Sequence, residues 1–417
     1  MTWRIGVNTS IQSIRPGGFY GAACLLLSLL LTACNAPIQV KSTTYTPLQL
    51  ESAEIAEAEL LDVGVLAFDP GLDDLSDQQA EIVLPAVRVA EGHYLANQLA
   101  RTIQDSSAWG AVRVLPDAAI ITDVYVEGII LHSDGEKLQL GITVRDTSGR
   151  QWYQRSYTQE ASEYAYERRK SIHRDPFQGL FNRIANDLSE FRKSLSGEEA
   201  TSLRNISTLR FAKDFSPEAF DQHIQANRKG VLEIKRLPAT NDPTLLRIQR
   251  IRERDYLFVD TTQEYYDAFS LQMAAPYQSW RRQNYEEVLA TRRLTRQSRE
   301  RTIGGIVTVI AGIVAAGSNS GASRAAGAVA IGSGAMLVKS GLAKKGEAQM
   351  HVETLAELGQ SLEAEVEPRT VTLEDQTITL NGNVQAQYQQ WKALLQKIYA
   401  IERGTPALIR NDEQAIP

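Results

Sequence analysis

The strict alternation between Lys137 and Arg145 constrains this chain more than any other feature. Leu138, Leu140, Ile142 and Val144 are apolar, and Lys137, Gln139, Thr143 and Arg145 beside them are polar. A period of two puts one set on a dry face and the other on a wet face. The segment is therefore a half-buried antiparallel strand whose dry face needs a cover. Turns bound it. Ser133-Asp134-Gly135-Glu136 precedes it and Thr147-Ser148-Gly149-Arg150 follows, each offering a glycine for positive φ. Beyond these turns, residues 123–131 and 151–157 read as the neighbouring strands of a meander.

The cover comes from flanking helices. Residues 61–68 form an apolar run stopped by Pro70, which reads as a buried strand, and residues 69–79 form an acidic loop. Residues 84–104 turn helical, with Leu95, Leu99 and Ile103 four apart. Gly110 precedes a short strand over 112–115. A closing helix is expected with Asp175 as N-cap and Pro176 at its first position. Its apolar stripe is Phe177, Leu180, Phe181, Ile184, Leu188 and Phe191. The fold class is α+β, a small meander sheet packed with helices, over residues 59–196.

The order β–α–β–β–β–α carries a resemblance. The strand Val63-Gly64-Val65-Leu66-Ala67-Phe68, the segment Val112-Arg113-Val114-Leu115-Pro116 and the meander resemble the curli-secretion-channel lipoproteins. They also resemble the N-terminal domain of the Tol-system propeller protein. The shared pattern is a strand opening on Asp123 and reaching Glu127-Gly128, then a hairpin from Asp146 to Gly149. The resemblance covers about 135 residues and implies an envelope scaffold or channel component. It maps no functional residue onto this chain.

Residues 1–33 read as an export signal. Arg4 and Arg15 precede an apolar run over 24–31, and no acidic residue occurs there. The run is too short to span a bilayer stably with these flanks. It ends in Leu31-Thr32-Ala33-Cys34, which resembles a bacterial lipobox. The resemblance implies cleavage after Ala33 and a diacylglycerol on the Cys34 thiol. Two or three acyl chains, at roughly 0.8 kcal/mol per buried CH2, anchor firmly. The other reading is plain secretion with a free Cys34. Asn35 follows the cysteine, and by resemblance to Gram-negative lipoprotein sorting this implies the outer membrane. Only Cys24 and Cys34 exist. The body thus has no cysteine for a disulfide, a zinc ribbon or a nucleophile. Residues 34–58 are polar and weakly patterned and read as a tether.

Charge is distributed in blocks. Residues 34–200 hold 15 basic and 26 acidic residues, 201–345 hold 22 and 13, and 346–417 hold 5 and 11. Such asymmetry fits units with different partners. Outside the cytoplasm a basic middle points to lipid headgroups or acidic subunit faces rather than nucleic acid; a solvated helical face explains it as well. Within the helical region 197–301, residues 198–226 and 242–254 carry helical patterning, with breaks at Pro217 and Pro238. Tyr256, Phe258, Tyr265, Tyr266, Phe269, Tyr277 and Trp280 read as core or subunit contact, with an interfacial aromatic belt as the rarer reading. A long helix is predicted over 277–301.

That helix runs into residues 302–345, the Gly-rich apolar segment, where 302–323 and 325–338 carry no charge. Two apolar helices, 303–316 and 325–341, are predicted about a Gly/Ser/Asn turn. Gly304, Gly312, Gly332 and Gly334 fall at small-xxx-small spacing, which lets backbones approach. The pattern resembles glycine-zipper hairpins. Arg296, Arg299 and Arg301 at one end, and Lys344 and Lys345 at the other, are the expected headgroup or partner contacts. Each arm is short for a ~30 Å hydrocarbon core, so insertion into lipid and burial within an assembly both stay open.

Residues 346–404 read as helix, hairpin and helix. Val352, Leu355, Leu358 and Leu362 mark the first helix, and Val384, Tyr388, Trp391, Leu395 and Ile398 the last. Val371, Leu373, Ile378 and Leu380 form the hairpin about Glu374-Asp375-Gln376. The unit resembles small periplasmic domains of the BON type, which bind envelope surfaces; a docking helix pair is the other reading. Residues 405–417 form a tail.

Catalytic patterns are absent from the sequence. The five histidines are scattered, and no nucleophile elbow, zinc helix, phosphate loop or dinucleotide fingerprint stands in its required context. Glu163, Glu167 and Asp175 lie near His173, as surface clusters commonly do. The expectation is no enzyme, no metal, no cofactor and no nucleic acid. The expected function is a lipid-anchored, periplasm-facing outer-membrane lipoprotein, acting as a structural or assembly subunit of an envelope or secretion complex. Its expected partners are the outer membrane through acylated Cys34, a second membrane contact through 302–345, and either copies of itself or other envelope proteins. The alternative is a lipid- or solute-binding auxiliary of a transport system, which needs a large apolar pocket in the α+β domain.

Overall fold

The alternating segment is strand β4 (Lys137–Asp146), and every second residue along it is buried. The computed structural model describes residues 45–73, 83–166, 175–303, 346–363, 368–373 and 376–404, all in the unit Ser42–Pro417. Leu31, Thr32, Ala33, Cys34, Gly304, Gly312, Gly332, Gly334, Lys344 and Lys345 lie outside the described residues.

The fold is α+β. The first elements are β1 (Val63–Leu66), α1 (Pro85–Asp105), β2 (Val112–Leu115), β3 (Val124–Ser133), β4 and β5 (Gln151–Glu160). They build a five-stranded sheet in the order β2-β1-β3-β4-β5. β1 is parallel to both β2 and β3, and the β3-β4-β5 meander is antiparallel. An apolar run suits β1, which lies inside the sheet with both faces covered. Gly128 in β3 is a close approach: a Cβ there would fall 2.4 Å from the Phe68 ring. The glycine of the Asp123–Gly128 pattern is thus a packing requirement.

The remaining elements are α2 (Gln178–Lys193), α3 (Gly197–Phe215), the single turn α4 (Pro217–Phe220), β6 (Ile224–Ala226), β7 (Leu232–Ile234), α5 (Pro243–Ile303), α6 (Gly346–Glu363), β8 (Arg369–Leu373), β9 (Gln376–Leu380) and α7 (Val384–Glu402). One core fills the space between the dry sheet face and α1 and α2, with Leu95, Leu99, Leu180, Phe181 and Ile184 inside it. α5 adds Met273, Tyr277 and Trp280 to that core, and α6 adds Leu355. A second core joins α3, α5 and α7 through Leu209, Ile251, Phe258, Val259, Trp391 and Leu395. Each such side chain contributes about 1.5–3 kcal/mol relative to exposure. α6 and α7, adjacent in sequence, therefore pack largely into different cores.

Several boundaries differ from the sequence reading. α2 begins at Gln178, two residues after Pro176, and Asp175 is not its N-cap. The Asp175 carboxylate instead accepts the Phe177 N–H at 2.8 Å and pairs with Arg281. The helical patterning of 198–226 breaks at Pro217 as expected, α3 ending at Phe215, but Ile224–Ala226 is a strand. The two helices expected over 242–254 and 277–301 are one 61-residue helix that runs through Pro276. Gln376 belongs to β9 rather than to the turn. Residues 45–51, expected as tether, lie against α2. Among the described residues no helix is long and apolar enough to cross a membrane.

Candidate functional site

Of the sequence-predicted site residues, Arg296, Arg299 and Arg301 alone fall among the described residues. Arg296, Arg299 and Arg301 stand on the far part of α5, where the backbone alone is described. What the structure does show is how that helix is held. Asp242 starts it, with Oδ1 accepting the N–H groups of Thr244 and Leu245 at 2.8 and 3.0 Å. Pro243 in the first turn needs no N–H partner.

Three joints tie α5 to the sheet and α1. At the first, Gln263 closes the sheet edge. Its Oε1 accepts the Val114 N–H at 2.8 Å, and its Nε2 donates to the Val114 carbonyl at 3.0 Å. The side-chain amide replaces a missing strand partner. Beside it, Arg113 pairs with Asp260 and stacks 4.6 Å from the Tyr256 ring centre. At the second joint, Asn97 of α1 donates to the Tyr266 carbonyl at 2.9 Å and to Ser270 Oγ at 2.6 Å.

The third joint holds buried charge. Glu91 of α1 is fully buried. Its Oε1 accepts from Tyr277 Oη–H and from Ser133 Oγ–H, both at 2.6 Å, and Arg88 stands 3.3 Å from its other oxygen. One turn further along α5, Arg281 is also fully buried. Its Nη1 lies 3.1 Å from both Asp175 oxygens, and Gln278 donates to the same carboxylate at 2.8 Å. The guanidinium packs 3.9 Å from the Tyr277 ring centre. Burial works against the Arg281 charge, but Asp175 and the surrounding tyrosines outweigh it and raise the pKa. Burial raises that of Tyr277, and the Glu91 carboxylate adds to the rise. Gly135, at φ +82°, touches this joint from the β3–β4 turn: a Cβ there would sit 2.2 Å from the Arg281 carbonyl oxygen.

Asp123 and Asp146 do structural work. Asp123 Oδ2 accepts the Asp62 N–H at 2.9 Å, and Oδ1 accepts from Ser207 of α3. Asp146 accepts the Ser148 N–H at 2.9 Å and Trp152 Nε1–H at 2.8 Å, fixing the second hairpin turn. The functional-looking residues that sequence reasoning missed are Arg88 and Glu91. A charged pair three apart on an otherwise apolar helix face was the available signal. Asp175 and Arg281 are 106 positions apart, and nothing local joins them.

These ionisable groups are engaged with each other and are packed between elements, an arrangement that fixes geometry. Among the described residues, no group of three or more His, Cys, Asp and Glu is placed to hold a metal ion. No family model, no curated protein and no solved structure matches the chain.

Proposed function

We propose that this chain is a lipid-anchored, periplasm-facing outer-membrane lipoprotein that acts as a structural or assembly subunit of an envelope or secretion complex. The observation that carries the reading is α5. At 61 residues and 1.5 Å per residue, it extends roughly 90 Å. Its first two thirds are tied to the α+β body by the three joints, and the sequence then continues into the Gly-rich segment, where 302–323 and 325–338 carry no charge. α6 follows that segment and packs on both α1 and α5. A long helix of this kind suits the presentation of an apolar segment to lipid or to other subunits. The lipobox-like Leu31-Thr32-Ala33-Cys34 supplies the anchor, and the resemblance of 59–196 to envelope lipoproteins points the same way. The auxiliary-binder reading needs an apolar cavity under the sheet. The described part of that face is filled by Leu95, Leu99, Leu180, Phe181 and Ile184.

Cys34→Ser tests the anchor, because one thiol carries all the covalent lipid. The expected outcome is loss of acyl mass and release from the outer-membrane fraction. Unchanged fractionation with no lipid lost contradicts it. Deletion of 302–345 in the acylated chain tests the assembly role, and retention of the parent particle mass moves the binder reading ahead.

A further inference from the structure

The segment that leaves the proposed anchor is gripped by two asparagines on one face of α2. Asn182 and Asn186 are four residues apart, so their side chains share a face. Both are buried. Asn182 Nδ2 donates to the Thr46 carbonyl at 2.8 Å and reaches Tyr45 Oη at 3.3 Å. Gln178 donates to Asn182 Oδ1 at 2.9 Å and fixes that amide. Asn186 reads the next stretch in both directions. Its Nδ2 donates to the Pro47 carbonyl at 3.0 Å, and its Oδ1 accepts the Gln49 N–H at 2.8 Å. Leu48 packs on the first core. Glu51 ends the run, paired with Arg192 and Lys193 at 3.3 and 3.1 Å, while its N–H goes to the Ser106 carbonyl at 2.9 Å.

Most of these bonds are to strap backbone, the way an extended peptide is bound. We propose that the Asn182–Asn186 face is an extended-peptide site whose occupant is this chain's own residues 45–51, and that docking sets how far the body can stand from the anchor. The inference rests on the lipid anchor proposed above. With the strap docked, ten residues separate Cys34 from it, a length of chain that spans at most roughly 35 Å. With the strap released, Arg204 of α3 still holds the Glu57 and Leu60 carbonyls, so the chain from 35 to 56 spans at most roughly 75 Å.

Docking is read first without lipid, by amide exchange on the full chain carrying Cys34→Ser. Gln49→Pro removes the N–H that Asn186 accepts and leaves the body untouched. Asn182→Ala with Asn186→Ala removes the grip from the other side. Either change should speed exchange at Glu51, whose N–H is held by the Ser106 carbonyl, about tenfold or more while the amides of α1 keep their rates. Exchange equal to the parent overturns the site. Reach is read on the acylated chain in vesicles, with a dye on Gln154→Cys, the one free thiol, and an acceptor in the headgroups. The Gln49→Pro chain should show longer and broader distances than the parent. Equal distances on an acylated chain overturn the reach-setting role alone. A parent chain carrying no acyl mass overturns the anchor reading and the reach with it, whatever the exchange result.

Discussion

Asp255 is the most exacting residue in the second core. It lies where α3, α5 and α7 meet, in a water-sized cavity lined also by Phe211, Phe215, Tyr388 and Lys392. It is 2% exposed. One oxygen is 3.4 Å from Tyr388 Oη, and the other has no hydrogen-bond partner among the described residues. Burial pushes its pKa up to about 6, against the smaller pull of Lys392, the Tyr388 hydroxyl and Arg252. The folded chain thus holds this proton more tightly than the unfolded chain does. That contribution to stability is complete below about 3.8 and is lost as pH rises through about 6. Asp255→Asn keeps the shape without the charge. It should be more stable than the parent by about 2–3 kcal/mol at pH 8 and equal near pH 4. Urea midpoints at the two pH values measure the gap, and a gap independent of pH contradicts the burial account. The Asp175–Arg281 pair makes the opposite prediction. Asp175→Asn strands a buried guanidinium and should cost about 3–5 kcal/mol, whereas Asp175→Asn with Arg281→Met should recover most of it. Thermal melts of the two variants decide this, and equal losses in both would argue that the pair is not the cause.

At the scale of elements, β4 and α1 were legible because their apolar spacing is local and complete. Leu138 to Val144 alternate and Leu95 to Ile103 recur every four residues, so periodicity alone places them. α5 was legible only in pieces. Pro276 signals a break, because it removes an N–H from the helix interior, but Met273, Tyr277 and Trp280 on either side are held in one core and the helix continues. The strand at Ile224–Ala226 was missed because its pairing with Leu232–Ile234 depends on the turn between them, where Asn227 Oδ1 accepts the Lys229 N–H at 2.8 Å. The strap over residues 45–51 has no periodicity, since its order comes from α2. The lock at the sheet edge was invisible for the same reason: Gln263 is 149 positions from Val114. Gln263→Ala should cost about 1–3 kcal/mol, because both Val114 backbone groups lose a partner. Faster amide exchange at Val114 than at Val65 would accompany it. Unchanged exchange at Val114 would show that the edge is closed without Gln263.

For the whole molecule, the charge blocks have a partly internal explanation. Basic residues of the middle block pair with acidic residues from the flanking ones: Arg281 with Asp175 at 3.1 Å, and Arg254 with Glu402 at 2.8 Å. Arg210 is spent on the Thr147 carbonyl at 2.7 Å. The asymmetry therefore does not by itself demand an external acidic partner, and the arginines at 296, 299 and 301 remain the candidates for one. The two cores also divide the C-terminal region, with α6 serving the sheet body and α7 serving α3 and α5. Gly312→Leu or Gly332→Leu adds bulk where close backbone approach is proposed, at about 1–3 kcal/mol for overpacking. The body should still fold, so amide exchange in α1 should match the parent while membrane seating or assembly fails. The central claim is that this chain is an assembly subunit whose long helix delivers residues 302–345 to its partners. The mass of the detergent-solubilised particle tests it most directly. The account predicts a particle of several chains from the acylated parent, and a single chain when 302–345 is deleted and the anchor kept. A parent that runs as one chain, or a deletion variant that keeps the parent mass, contradicts it.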